Sequence, residues 1–88
     1  MERTVTIVNR LGLHARAAAK LVTLANKFAS DVRVRKEQRE VSGKSIMGVM
    51  MLAAAQGTEL TLIAEGDDAV AALDELAALV AARFGEEA

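Results

Sequence analysis

The sequence predicts an α+β fold: a two-layer open-faced sandwich, a four-stranded antiparallel sheet covered on one face by three helices. Three observations carry this expectation. Four short segments alternate apolar and polar residues, the mark of strands with one buried face. Three other segments place apolar residues at helical spacing. The two kinds interleave in the order β-α-β-β-α-β-α, and helices that each bury one stripe must cover such a sheet.

Each element can be justified in turn. Residues 2–8 predict the first strand, with Arg3, Val5 and Ile7 on one side and Thr4 and Thr6 on the other. A turn from Asn9 to Leu13 leads into ARAAAKLVTLANKFA, where Ala17, Leu21, Leu24, Ala25 and Phe28 recur on one helix face. Residues 31–36 alternate again, Val32 and Val34 against Arg33 and Arg35. The polar KEQR turn follows, then a short strand around Glu40 to Ser42. SIMGVMMLAAAQG predicts a short helix that begins near Ser45 and is stopped by Gly57. Residues 58–65 set Leu60 and Leu62 opposite Thr61 and Ile63 in a fourth strand. The last segment predicts a helix capped by Asp67 or Asp68. Val70, Leu73, Leu76, Ala77, Val80 and Phe84 form its stripe, and Gly85 ends it. No proline, repeat or linker divides the chain, so residues 1–88 read as one domain.

Composition narrows the chemistry. A domain of 88 residues buries roughly 60–65% of its unfolded surface and leaves little room for a deep cleft. Chemistry at an exposed surface remains open. With no cysteine and one histidine, disulfides, thiolate metal sites and a His-rich zinc site are excluded, and no metal or cofactor is expected. The start, MERTVTIVNR, is unlike a signal peptide, and the uncharged run from Ser45 to Gly57 is too short to span a bilayer. A cytoplasmic protein without membrane insertion is the expectation, and a monomer. The net charge of −1 hides an asymmetry: residues 1–48 carry ten Lys/Arg against four Asp/Glu, residues 49–88 one against eight. Either a basic face meets an anionic partner, or packed elements carry complementary charges.

His14, in NRLGLHARAAA, sits where the turn becomes a helix. Unpaired backbone N–H groups of Ala15, Arg16 and Ala17 are expected nearby, at the helix end that carries roughly half a positive charge and attracts anions. Arg16 adds a guanidinium, and Gly12 lets the backbone approach whatever binds. A phosphoryl acceptor needs such features together: a neutral imidazole to attack phosphorus, and a positive field to hold the dianion once it is attached. A surface histidine at a helix start is common in itself; the convergence with Gly12 and Arg16 is what singles this one out.

Four other readings fare worse. Gly43-Lys44-Ser45 suggests a nucleotide loop, but that motif needs glycine where Gln38 stands. RNA-recognition domains share a similar element order but stack bases on sheet aromatics; here there is no Tyr or Trp, and Phe28 and Phe84 fall at helical core positions, so no nucleic-acid partner is expected. A carrier loaded on Ser45 would resemble an acidic helical bundle, unlike this strand-rich chain. A small interaction domain without covalent chemistry leaves only the grouping at His14 unexplained.

GLHARAAAKLV at 12–22 and GKSIMGVMMLAAAQG at 43–57 resemble the two signature regions of the HPr family, histidine-containing phosphocarriers of the bacterial phosphotransferase system. The resemblance covers the whole chain. It implies that enzyme I, using phosphoenolpyruvate, phosphorylates His14 on Nδ1, and that the phosphoryl group passes to a histidine of an enzyme IIA component. Arg16 would steer the phosphate; Gly12, Ala15 and Ala17 would shape the turn and helix start. The protein would be a covalent transfer intermediate, not a turnover catalyst. The family often has proline after this arginine; here Ala17, an excellent helix former, stands there. HARAAA and SIMGVMML are more similar to the proteobacterial branch that includes nitrogen-related carriers, so a regulatory paralogue not committed to sugar import is the alternative.

Ser45 precedes a helix, where serine is a standard cap contributing about 1 kcal/mol. The resemblance adds regulatory phosphorylation there by HPr kinase/phosphorylase, and phosphate at a helix N-terminus is locally favourable. Ile46, Met47 and Met50 belong to a helix apolar nearly all round, more than one face can bury. An exposed part of that patch suits docking on several partners, because methionine repacks easily, and the family uses these positions so.

Overall fold

Strand β2, Asp31–Lys36, buries Val32 and Val34 and leaves Asp31 and Arg33 in solvent, so the period-two pattern is satisfied on one side of a sheet. The computed structural model describes residues 1–88. Around β2 lie β1 Glu2–Thr6, α1 Ala15–Ala25, β3 Arg39–Ser42, α2 Ile46–Met51, β4 Glu59–Glu65 and α3 Ala69–Ala81, followed by a 3-10 turn, Arg83–Gly85. The strands form one sheet in the order β1-β4-β2-β3, every neighbouring pair antiparallel. Register places Val5 beside Leu60 and Val34 between Leu62 and Val41. The three helices cover one face, closing a core built around Ile7, Leu21, Leu60, Leu62, Leu73, Leu76 and Phe84.

The other face is open and charged. Arg33 pairs with Asp31 at 3.2 Å and Glu40 at 3.5 Å, and Arg35 with Glu2 at 3.5 Å. Such exposed pairs contribute about 0–1 kcal/mol each. Their acidic partners all belong to the first half itself, so these pairs leave its basic excess in place; Arg3, which meets Asp74 of α3 at 2.6 Å, draws on the acidic second half.

Four sequence expectations need correction. The stripe of α1 is rotated: Ala18 and Val22 join Ala17, Leu21 and Ala25 in the core, while Leu24 and Phe28 are half-buried at its edge. Helix α2 stops at Met51, well before Gly57, because Ala53 turns left-handed at φ 51°. The freed backbone serves the neighbouring loop: Leu13 N donates to Ala54 O at 2.8 Å and Gly57 N to Ile7 O at 2.7 Å.

Helix α3 ends at Ala81, and its stripe is Ala69, Ala72, Leu73, Leu76 and Val80; Val70 is exposed. Arg83, Phe84 and Gly85 then take φ of 58°, 54° and 81°, and this left-handed turn swings Phe84 fully into the core. Finally, Asp68 occupies the cap position but makes no capping bond with its side chain. Its carboxylate instead accepts from Ala29 N at 2.8 Å, Ser30 N at 2.9 Å and the Ser30 hydroxyl, tying the turn after α1 to the start of α3. These bonds, that of Ser30 Oγ foremost, hold the carboxyl below its ordinary value of 3.8.

Candidate functional site

His14 is the N-cap of α1, with extended backbone at φ −72° and ψ 178°. Its carbonyl accepts from Ala18 N at 2.8 Å, and its ring Nδ1 accepts from Arg16 N at 3.2 Å. The side chain is 28% exposed, open on one side and held on the other. Of the amides expected to be free at this helix start, that of Arg16 is therefore engaged by the histidine itself. Ala15 and Arg16 are exposed, whereas Ala17 is buried in the core.

Gly12 has a different reason from the one its sequence context suggests. At φ 70° it takes the left-handed turn that delivers Leu13 to the core, and a Cβ on it would lie 2.6 Å from Ala54 O. The close approach the structure shows is to the backbone after α2.

The ring's other nitrogen meets a residue that periodicity does not mark. Nε2 is hydrogen-bonded to the carboxylate of Glu86, whose second oxygen accepts from Asn9 Nδ2 at 3.0 Å. Asn9 is completely buried and also donates from Nδ2 to Gly12 O at 2.8 Å. With Nδ1 accepting from a backbone N–H, the assigned neutral tautomer carries its proton on Nε2 and donates it to Glu86. The hydrogen bond to His14, then that to Asn9, hold the Glu86 carboxyl below its ordinary value of 4.5.

The segment carrying Glu86 is fastened down: Lys20 Nζ donates to Phe84 O at 2.6 Å, and Arg10 N donates to Ala88 O at 3.0 Å. The expected positive surroundings of His14 thus include a carboxylate. The only hint in the sequence is the acidic pair Glu86-Glu87 after Phe84-Gly85.

A groove of about 370 Å³ leads away from Arg16 along α1, floored by Ala19, Leu24 and Leu79 and edged by Lys20 and Lys27. Neither Arg16 nor Lys27 forms an ion pair.

Ser45 caps α2, its hydroxyl accepting from Gly48 N at 3.1 Å. Within α2 only Val49 is buried; Ile46, Met47 and Met50 are exposed, Met47 at 73%. Leu11 and Met51 are further exposed apolar side chains that the sequence pattern does not single out. Helix α2 packs against α1, the helix that His14 begins. No three His, Cys, Asp or Glu side chains converge to hold a metal ion, and no helix is long and apolar enough to cross a membrane.

The architecture is that of a small open-faced α+β sandwich with a histidine at the start of its first helix. A crystal structure of HPr from Thermoanaerobacter tengcongensis superposes with a TM-score of 0.96 at 46% identity, covering 100% of this chain and 99% of that one. The family described as PTS HPr component phosphorylation site matches residues 1–82, and the chain belongs to it, a phosphocarrier of the phosphotransferase system. Phosphocarrier protein HPr of Cupriavidus necator is 55% identical over 86 residues, 98% of this chain and 97% of that protein. Phosphocarrier protein NPr of Shewanella violacea is 46% identical over 86 residues, 98% and 94% respectively. HPr from Thermoanaerobacter tengcongensis has also been solved as a dimer, with a TM-score of 0.79 at 46% identity over 98% and 99% of the two chains.

Proposed function

We propose that His14 takes a phosphoryl group on Nδ1 from enzyme I, ultimately from phosphoenolpyruvate, and passes it to a histidine of an enzyme IIA component. The observation that carries this reading is the ring's attitude: an accessible imidazole whose Nδ1 faces the leading amides of α1, with the Arg16 N–H at 3.2 Å. A phosphoryl group on that atom would lie in the positive field of a helix N-terminus, beside the unpaired Arg16 guanidinium. The protein acts as a covalent intermediate, not a turnover catalyst, and as a monomer in the cytoplasm within one domain, residues 1–88. Ile46, Met47 and Met50 form the docking patch for both partners. Phosphorylation of Ser45 by HPr kinase/phosphorylase would place about two negative charges beside that patch and weaken docking.

The likeness to NPr of Shewanella violacea favours one second reading, a carrier for nitrogen regulation instead of sugar uptake. The same His14 chemistry serves both.

Incubation with phosphoenolpyruvate and enzyme I should give one acid-labile, base-stable phosphoryl adduct, abolished by His14→Ala and retained by Ser45→Ala. An adduct that survives His14→Ala sinks the assignment. Light scattering of the free protein tests the monomer.

A further inference from the structure

We propose that Glu86 is a positioning residue for His14: it keeps the ring proton on Nε2 through both halves of the phosphoryl cycle, so that Nδ1 both takes and releases phosphate. The inference rests on the phosphoryl-carrier reading above and deepens it.

The contact is built, not a chance meeting of a loose tail. Chain ends are poorly ordered unless something ties them down. Here Phe84 is fully buried, Glu86 N donates to Arg83 O at 2.9 Å, and Lys20 Nζ holds Phe84 O at 2.6 Å. One Glu86 oxygen is oriented by Asn9 Nδ2 at 3.0 Å, which leaves the other for the ring. The Asn9 amide cannot be turned over, because both contacts of Nδ2 are to acceptors, Gly12 O and Glu86. Asn9 Oδ1 consequently lies buried without a partner. A buried unpaired acceptor is costly, and this one is the consequence of presenting both donors to the loop and to the carboxylate. A buried amide thus aims a carboxylate that aims an imidazole.

The chemistry explains the use of such a relay. In the uncharged ring the Glu86 contact puts hydrogen on Nε2 and leaves the lone pair on Nδ1, as a carboxylate does for a catalytic or metal-binding histidine. In the loading step that lone pair forms the N–P bond while the donor's bond to phosphorus breaks with its electrons. The ring then bears a formal positive charge, with Nε2–H on the Glu86 carboxylate. In the release step the acceptor's lone pair attacks phosphorus, the N–P electrons return to Nδ1, and the ring departs neutral with its proton still on Nε2. No proton leaves the pair in either step. A ring stripped of that proton would have to depart as imidazolate, a far poorer leaving group.

Other charges near the pair are Arg16 and Lys20 on α1, Arg10 in the preceding loop, and Glu87 beside Glu86; α2 has no charged residue. The lowered Glu86 pKa, with His14 as its first cause, agrees with a carboxylate held ionised by the ring.

The test is Glu86→Gln, with Glu87→Gln as the control for charge alone. Glutamine keeps an oxygen for Asn9 but turns an N–H₂ toward His14 Nε2, which forces the ring proton onto Nδ1. Nitrogen-15 NMR of the unphosphorylated proteins should show an unprotonated Nδ1 in the parent and in Glu87→Gln, and an unprotonated Nε2 in Glu86→Gln. After loading with enzyme I and phosphoenolpyruvate, hydrolysis of the phosphoprotein in water reads the leaving group without any acceptor protein. Its fall-off toward alkaline pH should move down by about one pH unit in Glu86→Gln only, about tenfold in rate on the alkaline side.

Unchanged tautomer and pH profile in Glu86→Gln would overturn the proposal, as would equal shifts in both variants. Should Glu86→Gln not fold, truncation after Gly85 gives the same two readouts, and an unprotonated Nδ1 with an unshifted profile in that protein overturns the role. A parent protein that takes no phosphate at His14 fails in the loading step itself, which separates failure of the carrier reading from failure of this one.

Discussion

Asp68 and Glu86 are both carboxylates that bridge distant parts of the chain, and hydrogen bonds hold each below its ordinary pKa. Their partners differ. Asp68 accepts from two backbone amides and a serine hydroxyl at the turn after α1, groups that do not titrate or react, and so it closes a corner of the fold. Glu86 accepts from a buried amide on one side and from a half-buried imidazole on the other. The same interaction closes a corner of the fold at one end of α1 and, at the other, meets the imidazole proposed to carry phosphate. What separates them is whether the partner has a second protonation state.

The largest expected effect loosens one corner and spares the other. Phe84→Ala empties a fully buried site and should cost about 3–5 kcal/mol in denaturant unfolding. It should also free Glu86 from the ring, seen as loss of the fixed His14 tautomer, while amide exchange at Ala29 and Ser30 keeps its local protection. Equal loosening of both corners would make them one unit.

Gly12→Ala comes next, since it meets both a positive φ and a 2.6 Å approach to Ala54 O. About 2 kcal/mol is expected from strain of this kind, together with displaced His14 ring resonances. A variant as stable as the parent would show that the loop relaxes freely. Ser45→Ala removes the α2 cap and should cost about 1 kcal/mol with no change at His14. Altered His14 resonances there would couple the two helix starts.

The smallest effect at neutral pH is expected from Asp68→Asn, which keeps an acceptor oxygen. Its signature is pH dependence. A carboxyl whose folded pKa is depressed adds stability that is complete above its unfolded value, near 3.8, and is lost as pH falls toward the folded value. Acid unfolding of Asp68→Asn should therefore start from a lower stability and fall less steeply below pH 3.8 than in the parent. Parallel curves would mean that the Ser30 contact carries no charge-dependent stability.

Much of the fold was legible because it depends on local period. Alternation around Val32 and Val34, and around Leu60 and Leu62, located the strands; the Ser45 cap was legible from residue type, and His14 from its place at a turn-to-helix junction, but not its capping bond to Arg16 N. Apart from the rotated stripe of α1, the errors have one cause. The α2 end, the Phe84 turn and the Asp68 bonds all involve backbone groups diverted from the local ladder to a partner far along the chain. The close approach of Ala54 to Gly12 was likewise not legible in the sequence.

By itself the sequence determined the order of elements, the core-facing side of strands such as β2 and β4, and the histidine at a helix start, because these follow from patterns read within a few residues. Only the tertiary structure decided which atom of that histidine faces which partner. The contacts of Glu86 with Asn9 and His14 span 77 and 72 residues along the chain. No local propensity encodes them: they exist because packing Phe84 into the core brings the end of the chain to the place where the first helix begins.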